Sequence, residues 1–115
     1  MMALSWTRAA DGGWCELDKV DLAANAGTGV YVIWHGGTKP RTIRVGYGPL
    51  AGRLSAHRSE TGLLRYRQFG PLYVSWAAVP ETSMQGVAKF VGSRLRPTFE
   101  DRLALAVAIP ASLPG

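Results

Sequence analysis

Cysteine is all but missing from this chain: Cys15 stands alone in 115 residues. An internal disulfide is therefore excluded, and no second thiol exists to build a cysteine-rich zinc site. A buried or incidental thiol is the expected state of Cys15. Long apolar runs are lacking too, none approaching the ~20 residues that span a bilayer, so no membrane partner is expected. The opening Met1-Met2-Ala3-Leu4-Ser5-Trp6-Thr7-Arg8 has neither a basic stretch nor an apolar core behind it. No export signal is expected from it, and the cytoplasm is the expected compartment. Internal repeats and low-complexity tracts are absent. Acids are scarce in the middle of the chain, where Glu60 is the one carboxylate between Lys39 and Arg67.

What is present fits one compact unit. Hydrophobic residues make up 47% of the sequence, enough for one core in a chain too short for two. A single domain over residues 1–115 is the expected organisation. The formal net charge is +5, and it is unevenly spread. Lys39, Arg41, Arg44, Arg53, Arg58, Arg65 and Arg67 crowd the middle, whereas Asp11, Glu16, Asp18 and Asp21 outnumber Arg8 and Lys19 at the start. Arginine dominates the basic stretch, and its planar fork suits phosphate. A polyanion partner fits this asymmetry, and so does a solvated face that serves solubility.

Patterning divides the chain. Residues 1–28 are loosely organised, with Trp6, Trp14, Leu17, Val20 and Leu22 available for packing between Gly12-Gly13 and Asn25-Ala26-Gly27. Gly29 to Trp34 reads as a buried strand. Gly36-Gly37-Thr38-Lys39-Pro40 reads as a turn, followed by an alternating strand from Arg41 to Tyr47 with Ile43 and Val45 on one face. Pro49 fits the first turn of a helix with Leu50, Ala51 and Leu54 as its apolar stripe. Arg53, His57 and Glu60 fall at i, i+4 and i+7, on a different, polar face. Thr61-Gly62 ends this helix, and Leu64 to Gly70 reads as a basic aromatic loop. Pro71 to Val79 is a third strand. Thr82 and Gln85 form a capping-box signature for a second helix, whose core stripe is Met84, Val87, Ala88, Val91 and Leu95. Pro97 stops it, and a short helix from about Phe99 to Ala106 precedes a proline-rich tail. The expected fold is α/β, a small and mainly antiparallel three-stranded sheet flanked by helices in the order β-β-α-β-α.

Gly29-Val30-Tyr31, Arg44-Val45-Gly46 and Arg53-Leu54-Ser55-Ala56-His57, on strand, strand and helix in that order, resemble the core of the GIY-YIG endonucleases. The stretches RVGYG (44–48), GRLSAHRS (52–59), LLRYRQFGPLYVSWAAVP (63–80) and QGVAKFVGSRLRP (85–97) are similar to a small stand-alone bacterial branch of that family. The resemblance runs from about residue 29 to 101. It implies a DNA endonuclease that hydrolyses the phosphodiester backbone by metal-assisted attack of water, with Mg²⁺ or Mn²⁺ as cofactor. Such chemistry needs a base, positive charge on the phosphate and a carboxylate-held ion. By this resemblance Tyr31 helps activate water, Arg53 stabilises the phosphate, and His57 contacts phosphate or shares the proton work.

Two positions depart from the pattern. Arg44 stands where a tyrosine is expected, and Tyr47 falls on the opposite strand face unless a bulge turns it. The metal-binding glutamate is expected at position 88, where this chain has Ala88. Glu81, Glu100 and Asp101 are the nearest acids in sequence. The implied reading is a nuclease without its metal ligand, which binds substrate and cleaves poorly or not at all. Arg44, Tyr47, Arg58, Arg65 and Arg67 are the expected substrate contacts, made chiefly to phosphate. Tyr66 and Phe69 either stack on unpaired bases or form the lip of the third strand, the latter preferred. Trp34 and Trp76 are expected in the core. A monomer that nicks, or that acts on single-stranded or structured DNA, is the favoured form. The rivals are a non-catalytic nucleic-acid-binding module of the same fold and a protein-binding or immunity domain.

Overall fold

In the computed structural model, residues 1–21, 27–100 and 106–115 are described. The strand predicted at Gly29–Trp34 becomes the axis of the molecule. It is β2 (Thr28–His35), paired antiparallel with β3 (Arg41–Pro49) on one side and β4 (Leu72–Ala78) on the other. Being central and covered on both faces, it carries an almost unbroken apolar run. Two very short strands extend the three expected ones: β1 (Cys15–Glu16) lies antiparallel to β4, and β5 (Phe99–Glu100) lies parallel to β3. The order across the sheet is β1-β4-β2-β3-β5.

Alternation along β2 divides the interior into two layers. Tyr31 and Ile33 point into a core with Ile43, Leu50, Leu54, Leu63, Leu72, Val74 and Trp76. This layer is closed by α1 (Leu50–Arg58), by α2 (Thr61–Leu64) and by a 3₁₀ turn at Leu17–Lys19. Val30 and Val32 point the other way, into a core with Val45, Val79, Met84, Val87, Ala88 and Val91. That second layer is covered by α3 (Glu81–Leu95), whose apolar stripe falls where its sequence period places it.

The structure corrects several local expectations. Ile43 and Val45 do not share a face, because the β2–β3 register slips between Ile33 and Trp34 and leaves Ile43 as a bulged residue. Ile43 therefore joins the α1 layer and Val45 the α3 layer. The helix expected from Pro49 to about Glu60 stops at Arg58, and the expected loop after it is largely helical, as α2 and a 3₁₀ helix over Arg65–Phe69. No capping box forms at Thr82; α3 begins at Glu81 with Pro80 at the cap and no side-chain hydrogen bond there. Arg96, in the left-handed region at φ 50°, ends α3 just ahead of Pro97. Phe99–Glu100 is strand rather than helix, and the rest of that expected helix through residue 105 lies outside the described residues, as do Leu22 and Asn25-Ala26.

The tail contributes to the α3 layer. Ile109 N–H donates to the Gly86 carbonyl at 3.0 Å, and Ala111, 1% exposed, joins the core. Met2 N–H donates to the Pro110 carbonyl at 2.8 Å, and Ser112 N–H returns to the Met2 carbonyl at 2.9 Å. Trp6 Nε1–H also donates to the Ser112 carbonyl at 2.8 Å. The loosely patterned start thus gains its order from the distant end. Trp76 is buried as expected, whereas Trp34 is only half-buried, with Trp14 edge-on to it at 5.1 Å.

Candidate functional site

Tyr31 and Gly46 are directly paired across β2 and β3, so they share the face on which Arg44 also lies. Gly46 is required there: a Cβ built on it would stand 2.2 Å from the Tyr31 hydroxyl. The last residue of the Arg44-Val45-Gly46 triplet is thus explained by the ring of the first triplet's tyrosine. Leu50 and Leu54 seat α1 on the same face, and one turn beyond Leu54 the helix delivers His57 to that tyrosine. Arg53 lies one turn before His57, and a Cβ built on Gly48 would stand 3.3 Å from its Cγ.

These side chains form a short hydrogen-bonded line. Tyr31 Oη lies 2.6 Å from His57 Nε2, and His57 Nδ1 lies 2.6 Å from Glu60 Oε2. A carboxylate only accepts, so Nδ1 carries the hydrogen and donates to Glu60. The neutral imidazole then presents Nε2 as acceptor, and the Tyr31 O–H donates to it. Burial pushes the His57 pKa below the usual histidine range. The hydrogen bond to Glu60 works against that shift, while the positive charges of Arg44 and Arg53 reinforce it. Two cations near one imidazole favour the neutral form that the proton order requires.

The site is layered. Tyr31 is fully buried and His57 is 4% exposed, while Arg44 and Arg53 are half-buried at its outer side. The two arginines thus keep more exposure than the imidazole or the phenol. The structure therefore brings together Tyr31, Arg44, Arg53 and His57, all expected, and adds Glu60. Its i+7 spacing placed Glu60 near Arg53 and His57, but spacing alone did not show that the chain would turn at Ser59 and direct the carboxylate back to Nδ1.

Other expected contacts lie elsewhere. Arg58 is a structural clasp: its Nε donates to the Leu17 carbonyl at 2.9 Å and its Nη2 to the Val20 carbonyl. Arg67 pairs with Asp18 at 3.1 Å, both side chains about half exposed. Arg65 is exposed on the 3₁₀ helix after α2. Tyr47 packs in the α3 layer, across the sheet from Tyr31; no bulge at Gly46 or Gly48 turns it. Ala88 is 2% exposed and packs in that same layer.

The divalent ion implied by the resemblance does not fit these residues. Position 88 offers a methyl group in an aliphatic core. Among the described residues, no group of three or more His, Cys, Asp or Glu is placed to hold a metal ion. Glu81 is exposed at the start of α3, Glu100 belongs to β5, and Asp101 lies outside the described residues. No family model, curated protein or solved structure is matched by the chain.

Two expectations follow from this geometry. Arg58→Ala leaves the buried Leu17 and Val20 carbonyls without these donors and should lower stability by about 1–3 kcal/mol, read as a shift in urea midpoint. The second concerns pH. With the folded-state pKa of His57 below its unfolded value, the unfolded chain binds the proton more readily. The associated stability is complete above the ordinary pKa of about 6.5 and is lost as pH falls through the folded value. Thermal melts should therefore show a steeper fall in Tm below about pH 6.5 for the natural chain than for His57→Gln.

Proposed function

We propose that this domain binds the sugar–phosphate backbone of nucleic acid, DNA foremost, through Arg44 and Arg53, and that it does so on a GIY-YIG-like scaffold without the family's metal-dependent cleavage. The observation that carries this reading is the convergence of two arginines on one face of the sheet, over a Tyr31–His57–Glu60 line whose imidazole burial pushes toward the neutral form. Two guanidinium groups match a phosphodiester's anionic oxygens in charge and shape. The neutral His57 is stable beside them because burial disfavours its charge and Tyr31 donates to its Nε2, against the opposing pull of Glu60. In this arrangement the buried line positions the polar floor of the site, and the arginines meet the ligand. The strongly basic middle of the chain supports the same partner.

Cleavage is the second reading, and the Tyr31–His57 hydrogen bond favours it. A phenol already donating to a neutral imidazole is arranged to lose its proton, as a base for water or a nucleophile must be. Burial of Tyr31 argues that this geometry is supporting rather than reactive as it stands. Expected behaviour separates the two. Arg53→Ala should weaken DNA binding evenly across sequences and reduce the slope of log K against log salt by about 1, measured by fluorescence anisotropy. An unchanged affinity and slope for both Arg53→Ala and Arg44→Ala overturn the proposal. On labelled single-stranded and duplex DNA with Mg²⁺ or Mn²⁺, neither the natural chain nor Ala88→Glu should cut. Cleavage by Ala88→Glu alone would instead restore the nuclease reading with its missing ligand supplied.

A further inference from the structure

The face that carries Tyr31 continues along β2 to His35, four residues on, about 13 Å away at the rise of a strand. There the character of the surface changes. The His35 ring is buried, and its Nδ1–H donates to the Gly36 carbonyl at 2.8 Å, which fixes the ring plane. Tyr66 stacks on it with ring centroids 6.1 Å apart, and Phe69 is tilted against it at 5.4 Å and against Tyr66 at 6.1 Å. Phe99 supports Tyr66 edge-on at 6.2 Å. Tyr66 is half-buried among these rings, whereas Phe69 remains 55% exposed.

The backbone that carries Phe69 closes tightly on the hairpin turn. A Cβ at Gly37 would stand 2.1 Å from the Phe69 carbonyl, and Gly37 has a φ of +97°, so this turn admits the 3₁₀ helix only because glycine occupies it. An exposed ring on a fixed, buried support is a different object from a loop phenylalanine at liberty to fold inward. The Tyr66–Phe69 pair thus divides between the two roles open in the sequence. Tyr66 packs at the edge of the core, and Phe69 faces solvent.

Charge around this ring favours one occupant. Arg41 is exposed and paired across the hairpin with His35, exposed Lys39 lies in the turn beneath, and Arg65 is exposed on the same 3₁₀ helix. Arg67 is there too, already paired with Asp18. An aromatic surface rimmed by cations suits a flat ring carried on an anionic backbone. An apolar peptide would offer Arg41, Lys39 and Arg65 no complement.

We propose that Phe69, packed against His35 and Tyr66, is a stacking platform for an unpaired base of a nucleic acid whose backbone is held at Arg44 and Arg53. The inference rests on the backbone-binding reading and adds to it a preference for single-stranded over fully paired nucleic acid. A base in a duplex is already stacked and paired, so its face is not available to Phe69.

The test is anisotropy with a short fluorescein-labelled oligothymidylate, the same backbone carrying abasic sites, and a blunt duplex, at one fixed salt concentration. Phe69→Ala should weaken binding of oligothymidylate roughly 5- to 150-fold, the range for loss of one base–aromatic stack, and leave the abasic backbone unaffected. Phe69→Trp should retain the preference. Thermal melts of both variants check that the fold persists, as expected for a residue over half exposed. Equal binding of oligothymidylate and abasic backbone, with no effect of Phe69→Ala but a loss in Arg53→Ala, overturns the platform and leaves the backbone site standing. No effect of any arginine variant overturns both.

Discussion

One hydrogen bond, from the Tyr31 hydroxyl to His57 Nε2, joins the central strand to the first helix inside an otherwise apolar layer. Both groups are taken almost entirely out of water, and a buried donor or acceptor left unmatched costs more than a matched pair contributes. That asymmetry constrains the surroundings. Residue 46 must be glycine to leave room for the phenol, α1 must end within reach of the strand, and the chain must turn at Ser59 so that Glu60 can satisfy the far side of the ring. Arg44 and Arg53 then gather beside this line, where their charges add to burial in lowering the imidazole pKa.

The sheet separates duties as well as layers. On the α1 side, polar groups interrupt the apolar core and the cations stand at its margin. On the α3 side, valines, Met84 and Ala88 form an aliphatic layer stitched to both ends of the chain by backbone hydrogen bonds. The resemblance in the motifs draws on both sides, since its tyrosine, arginine and histidine fall on the first and its acidic position on the second. Ala88 supplies a packed methyl group to the α3 layer and lies across the sheet from the Tyr31 line.

The parts legible in the sequence were those governed by short-range periodicity. The three main strands followed from β-branched and aromatic runs, α3 from its apolar period, and the shared face of Arg53 and His57 from their four-residue spacing. The misses came from longer-range effects. Nothing local marks Phe99–Glu100 as a strand, because its pairing partner is β3, more than fifty residues earlier. Arg58 looked like one more surface cation, and only the fold brings the Leu17 and Val20 carbonyls to it. The Thr82–Gln85 pattern was real as a pattern, but Pro80 already set the start of α3.

The extra residue at Ile43 has a meaning for how the hairpin tolerates change. It separates β3 into two stretches with independent phase: residues from Arg44 onward hold the pairing that faces Arg44 and Gly46 toward Tyr31, while Arg41 and Thr42 follow the tip. A strand without this break transmits a one-residue shift along its whole length and turns every side chain over. Here such a slip can end at the bulge. Strain at the tip of the hairpin, where Gly37 meets the Phe69 backbone, is therefore absorbed at the bulge, while the arginine beside the buried histidine keeps its orientation.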